Sequence, residues 1–457
     1  MSLWVAELAW TEMGIVPRVL IEESKGRLAR VAALGDAPLP REAQVLSGLT
    51  LPGLANVHSH AFHRALRGRC EAPKGGGKDF WDWRKRMFAL ARFLEPQQYF
   101  ELCRATMGEM ALAGITAVGE FHYLHHQRDG RPYQRPEMEE ALIAAAAEAG
   151  LRLTLLDTCY LRSGFNQAAL EGAAIRFSDG DAQAWARRAD LLEDGPTFRR
   201  GAAIHSVRAV DADSMRVVAA WARERSAPLH LHLSEQPEEN TACLEATGMT
   251  PTELAESCAV LGPDTTAVHA IHLTEMDIGR LGATGTRVCI CPTTERSLGD
   301  GVCPADQLQA AGSPLCLGSD SNAVVDLFEE ASAIELDLRL VSGRRALLDA
   351  GTLLVAATAH GMASLGWQGG ELRPGCLADF ITLDLATPRL AGAGQADLLP
   401  RVVFGASGAD VSSVVVGGRE IVGSGRHLRL GSVAERLEII LEEIEPAWRA
   451  ATAELSS

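Results

Sequence analysis

No uncharged apolar run in these 457 residues is long enough to cross a bilayer, and the first residues lack the basic stretch and apolar core of a signal peptide. The expected location is therefore the cytoplasm. Positive charge is scarce as well: 43 Lys and Arg stand against 59 Asp and Glu, a formal charge of -16. Nucleic-acid backbones and anionic membranes call for a basic surface, so a small molecule is the expected partner. The ten cysteines form no paired CxxC motifs and no dense framework. Several sit inside apolar runs, such as Cys289-Ile290-Cys291, and read as reduced core residues of a cytoplasmic protein. No GxGxxG opens the first strand-helix unit, and there is neither an internal repeat nor a low-complexity block. What remains is a chain with 47% hydrophobic residues, enough for a large core in two structural units.

From about residue 51, short apolar runs alternate with longer stretches of helical composition, the pattern of βα units around a parallel sheet. Eight such runs are readable: Leu54 to His60, Thr116 to Tyr123, Leu151 to Tyr160, Gly201 to Val207, Pro228 to Leu233, Thr266 to His272, Arg287 to Pro292 and Pro314 to Asp320. Eight strands with intervening helices predict an α/β protein with a closed (β/α)8 TIM-like barrel over residues 51–370. The flanks, residues 1–50 and 371–430, hold short strand candidates broken by Gly and Pro and are expected to pair into one small β-sandwich. Residues 431–457 read as a C-terminal helix, with Leu437, Ile440, Leu441 and Ile444 on one apolar face. Gly75-Gly76-Gly77 and Gln127 to Arg135 read as loops over the barrel mouth.

Histidine is distributed unevenly. Of 13, ten fall in or just after five of the predicted strands: His58, His60, His122, His125, His126, His205, His230, His232, His269 and His272. In His58-Ser59-His60 the period of two puts both imidazoles on one face, where they can grip one ion. His232 ends the fifth strand and Asp320 the eighth. Three neutral nitrogens and one carboxylate at a common rim suit one divalent ion, zinc first and iron as an alternative. Glu235 lies three residues beyond His232, and His269 ends the sixth strand.

This constellation resembles the amidohydrolase superfamily in its mononuclear deaminase branch. Leu51-Pro52-Gly53-Leu54 entering HSH, the late Gly318-Ser319-Asp320 and the return through Pro374-Gly375-Cys376-Leu377-Ala378-Asp379 fit along nearly the whole length. No lysine ends the fourth strand, where two-metal members carry a bridging one. Within the branch, HSHAFHRAL from His58, FWDWR from Phe80, EFHYLHH from Glu120, HSVRAV from His205, HLSEQ from His232 and TTERSLGDG from Thr293 resemble the N-formimino-L-glutamate deiminases. Two positions depart from the superfamily pattern: His63 replaces a frequent glutamine and Asn322 a frequent histidine.

The resemblance implies a metal-dependent hydrolase that removes ammonia from N-formimino-L-glutamate in histidine degradation, working as a homodimer. In that reading His58, His60, His232 and Asp320 hold the ion, and a divalent ion lowers the pKa of water from about 15.7 to about 7. Asp320 also accepts a proton from the attacking water, Glu235 carries protons to the leaving nitrogen, and His269 polarises the water or steadies the intermediate. A substrate with two carboxylates asks for arginine forks, for which Arg208 and Arg84 are the candidates. His63, Tyr123 and His205 complete the expected polar lining, whereas Trp81 and Trp83 read as loop packing. His272, His125, His126 and His230 read as packing, loop or supporting residues. The competing expectation is another deaminase on the same scaffold, acting on guanine, an adenosine-like nucleoside or a triazine.

Overall fold

The structure, a computed structural model, describes residues 2–70, 80–166, 168–392, 394 and 396–454. The glycine run Gly75 to Gly77, expected as a loop, lies outside them. Eight strands pair in parallel in chain order. They are β1 (Leu54–Ser59), β2 (Ile115–His122), β3 (Arg152–Cys159), β4 (Phe198–Ser206), β5 (Leu229–Leu233), β6 (Thr265–His269), β7 (Arg287–Ile290) and β8 (Leu315–Leu317). Helices separate the successive strands, as the alternation of apolar runs predicts, and the barrel is the expected (β/α)8 type.

Closure falls to the last strand. β8 is shorter than the expected Pro314 to Asp320: its ladder stops at Leu317, and the chain turns against β1 instead. A Cβ on Gly318 would sit 2.8 Å from the His58 Cβ and 2.9 Å from the Cys291 sulfur, so only glycine permits this approach. Beyond it, Ser59 and Asp320 form a parallel bridge. The His60 N–H donates to the Asp320 carbonyl at 2.9 Å, and the Asp320 N–H donates to the His58 carbonyl at 2.9 Å. The small side chains of Cys289, Cys291 and Cys316 pack with Ala55, Val57 and Ala117 where these strands crowd together. All ten cysteines are free thiols, nine of them buried.

The flanks join in one eight-stranded sheet. Its order runs Arg426–His427, Arg419–Gly423, Val411–Val416, Phe380–Leu383, Gln44–Pro52, Ser2–Thr11, Gly14–Ser24 and Arg27–Ala33. This sheet folds over itself. Trp4 pairs beside Gln44 and Phe380 beside Pro52, at opposite ends of one strand. At about 3.3 Å per residue a flat sheet would hold those rings roughly 25 Å apart, yet their centroids are 5.1 Å apart. Arg27 also bridges Leu377, and between the folded halves Trp4, Ile21, Leu28, Leu46, Phe380 and Val415 form a separate core.

The helix Val433–Glu454 buries Leu437, Ile440 and Ile444 as its periodicity predicts. It packs on the helix Pro96–Leu112, where Gly108 leaves room for Leu430 and Val433. Among the described residues no helix is long and apolar enough to cross a membrane.

Candidate active site

The ends of β1 and β5 and the segment after β8 bring four side chains together. His232 Nε2 lies 3.2 Å from His58 Nε2, and Asp320 Oδ1 lies 3.3 Å from His58 Nε2 and 3.4 Å from His60 Nε2. Two of the outer nitrogens are committed elsewhere, while His58 Nδ1 is buried without a hydrogen-bond partner. His60 Nδ1–H donates to the Phe121 carbonyl and His232 Nδ1–H to the His205 carbonyl, each at 2.9 Å. Those bonds fix tautomers whose Nε2 lone pairs point inward. Burial pushes His58 below the usual histidine range and His60 and His232 well below it, so all three are neutral. Burial opposes ionisation of Asp320, but the His58 hydrogen bond and the nearby imidazoles outweigh it and hold its carboxyl below the ordinary aspartate value. Three imidazole Nε2 atoms converging beside one carboxylate, two of them with lone pairs fixed inward, fit a divalent cation.

Three segments beside this cluster leave the ordinary backbone regions. Ser234, His269 and Asp320 have φ of 50°, 72° and 46°, left-handed values that cost a non-glycine residue on the order of 1–3 kcal/mol. The turns they make aim Glu235 and His269 inward. His269 Nε2 stands 3.8 Å from Glu235 Oε1 and 4.0 Å from Asp320 Oδ2, while its Nδ1 meets Glu295 Oε1 at 3.3 Å. Burial alone would lower His269, but Glu235, the Glu295 hydrogen bond and Asp320 lift it to about 10.

A cavity opens above these groups, lined by His60, His232, Glu235, His269 and Asp320 together with His63, Arg84, Tyr123, His205 and Arg208. His58 lies beneath them, fully buried. The structure thus gathers the residues singled out in the sequence into one place. The helix Phe80–Ala91 supplies Arg84, whose guanidinium donates to the Tyr160 hydroxyl at 2.8 Å. Arg208, on the turn after β4, pairs with Glu239 at 3.1 Å and lies 3.9 Å from Glu235. His63 Nε2 and the Tyr123 hydroxyl are 2.8 Å apart. Burial holds His63 down at about 3, and burial with the charges of Arg208 and Arg84 holds His205 well below its ordinary value. Trp83 corrects an expectation: rather than only packing a loop, it lines the cavity edge-on to His63, with centroids 5.2 Å apart. The side chain of Trp81 lies outside the described residues.

Several residues that support the site carried no assigned role in the sequence. Glu239 holds Arg208 and Glu295 holds His269, although both acids stand in the neighbourhood of the quoted HLSEQ and TTERSLGDG segments. Asn322, noted as a departure, is fully buried. Its Oδ1 accepts from Ser319 Oγ, and its amide donates to Ser59 Oγ, the His60 carbonyl and the Asp320 carbonyl. The departure is thus a latch between β1 and the Asp320 segment. His272 and His230 contact the carbonyls of Asp300 and Ser364, away from the cavity. His122 and His125 gather around Glu139 in a second buried cluster that also holds Asp157, Asp179 and Arg188.

The sequence model of the amidohydrolase family matches residues 49–421, and the chain belongs to that family. Among curated relatives, the formimidoylglutamate deiminase of Pseudomonas aeruginosa is 36% identical over 442 residues, spanning 93% of this chain and 96% of that protein. A 5-methylthioadenosine/S-adenosylhomocysteine deaminase of Haloarcula marismortui is 27% identical over 412 residues, 88% of each chain. Among solved structures, an amidohydrolase from Brucella melitensis superposes with a TM-score of 0.88 at 30% identity, covering 97% of this chain and all of that one.

Proposed function

We propose that this protein hydrolyses N-formimino-L-glutamate to N-formyl-L-glutamate and ammonia, in the cytoplasm, as a homodimer in histidine degradation. The observation that carries this reading is the convergence of Arg84 and Arg208 on the cavity that also holds the His58, His60, His232 and Asp320 donors. Two fixed cations in a protein of net charge -16 suit a substrate with two carboxylates. The similarity to the Pseudomonas aeruginosa deiminase over nearly the full length supports the same substrate.

His58, His60, His232 and Asp320 would hold one divalent ion, with zinc as first choice and iron as the alternative, and the bound ion supplies a water acidic enough to give hydroxide near neutrality. Arg208 and Arg84 take the substrate carboxylates, and Tyr123, His63 and His205 offer hydrogen bonds along the lining. Asp320, kept ionised by its imidazole neighbours, accepts a proton from the attacking water as its oxygen bonds to the formimino carbon. His269, 3.8 Å from Glu235 and 4.0 Å from Asp320, polarises the attacking water or steadies the charge that develops. Glu235 relays that proton from Asp320 to the terminal nitrogen, and the hydroxyl of the tetrahedral adduct then gives up its own proton through the same carboxylate to the same nitrogen, so that the N-formyl carbonyl forms as the carbon-nitrogen bond breaks and ammonia leaves.

Ammonia release measured with N-formimino-L-glutamate, guanine and S-adenosylhomocysteine, alongside elemental analysis of the purified protein, tests the reading. The expected result is turnover of the first substrate alone, with close to one divalent ion per chain. Turnover of guanine or the nucleoside in its place would overturn it.

A further inference from the structure

Arg208 and the turn that carries Glu235 share one buried carboxylate. Glu239, in the first turn of the helix Pro237–Thr247, is 3% exposed. Its Oε1 accepts the Ser234 N–H at 3.0 Å, and its Oε2 stands 3.1 Å from Arg208 Nη1. Ser234 is the left-handed residue between His232 and Glu235. Arg208 Nη2 lies 3.9 Å from Glu235, so the guanidinium sits between two acids, of which Glu239 is the nearer. A guanidinium this enclosed needs a fixed counter-charge, and a fork held at one nitrogen presents the others in a set direction.

We propose that Glu239 is a positioning residue for recognition of the substrate carboxylate. It holds one edge of Arg208 so that the remaining guanidinium N–H groups face the cavity, and it pins the Ser234 backbone from which Glu235 projects. This inference rests on the reading that Arg208 meets a substrate carboxylate. Glu239→Gln separates the two contacts. The amide oxygen still accepts the Ser234 N–H, but its NH2 group turns a donor toward a donor-only guanidinium.

The experiment is a double-mutant cycle of Glu239→Gln and Arg208→Met with N-formimino-L-glutamate as substrate, with melting curves to confirm folding. Glu239→Gln is expected to raise KM at least about tenfold and to leave kcat within about threefold, because the turn is retained while the clamp is lost. Added to Arg208→Met, it should lower kcat/KM by less than about threefold, since the group it positions is already gone. A smaller rise in KM, a loss carried by kcat, or a larger additional loss in the double variant would overturn the proposal. Should Glu239→Gln fail to fold, Glu239→Asp takes its place: it keeps the charge, draws it back by one methylene, and carries the same expectation for KM. A parent enzyme with no turnover of N-formimino-L-glutamate would remove the underlying reading and this proposal together. An active parent with an unaltered KM in the variants would remove the proposal alone.

Discussion

Two buried groups of histidines and acids stand in this barrel, and they solve the same electrostatic problem differently. In the first, His58, His60 and His232 face Asp320, and among the described residues the ion pairs of Asp320 are with imidazoles alone. In the second, Arg188 reaches Glu139 at 2.9 Å, Asp157 at 2.7 Å and Asp179 at 2.8 Å. His122 spans the Tyr99 hydroxyl and Glu139, and His125 spans Glu139 and the Thr158 carbonyl. The second group therefore carries its own cation on the chain, and both nitrogens of each of these two imidazoles already have partners. In the first, the outer nitrogens of His60 and His232 go to carbonyls while their inner ones converge, and among the described residues no arginine or lysine pairs with Asp320. Residue types alone do not distinguish a metal centre from a charge network. The direction of the uncommitted lone pairs does.

Substitutions can break this contrast in a graded way. His232→Ala should abolish turnover and lower metal content, because three remaining donors bind an ion less tightly and orient it poorly. Elemental analysis showing full occupancy, with normal ammonia release, would take His232 out of the donor set. Glu235→Gln should keep the metal and lose about 100-fold to 10,000-fold in kcat, the usual worth of a positioned proton carrier. An unchanged kcat would assign proton transfer to another group. Arg188→Met should leave metal content and KM untouched while lowering stability by about 3–5 kcal/mol, since three acids lose their shared cation. Denaturant unfolding beside elemental analysis reads both effects, and a drop in metal content would show that the two groups are not independent.

Much of the first group was readable in sequence because β-strands repeat at two residues and a barrel collects strand ends on one rim. His58, His60 and His232 announce themselves by that regularity, as does Asp320 after an apolar run. Glu239 and Glu295 do not: each sits in the first turn of a short helix, where acids are common for reasons of the helix dipole. Only the tertiary fold shows that they face inward. Asn322 drew notice as an oddity, but its latch joins segments more than 250 residues apart, which no local pattern encodes. Trp83 reads as loop packing in sequence because nothing in FWDWR shows that it lies on a helix or which ring meets His63. The joining of the two flanks in one layered β unit is legible in their short strands, whereas the strand order and register that double the sheet over are not.

The bridge between Ser59 and Asp320 has a thermodynamic consequence. The residues that close the last seam of the barrel are the proposed donors themselves or their neighbours, so an ion bound there would link occupancy of the centre to closure of the sheet. Once free metal exceeds its dissociation constant, each further tenfold adds about 1.4 kcal/mol to the closed state. Chelation withdraws that contribution where β1 meets the segment after β8, and amide exchange at His60 and Asp320 should then quicken before exchange at the β2 to β6 ladder. The catalytic ion would thus double as the clasp of the fold.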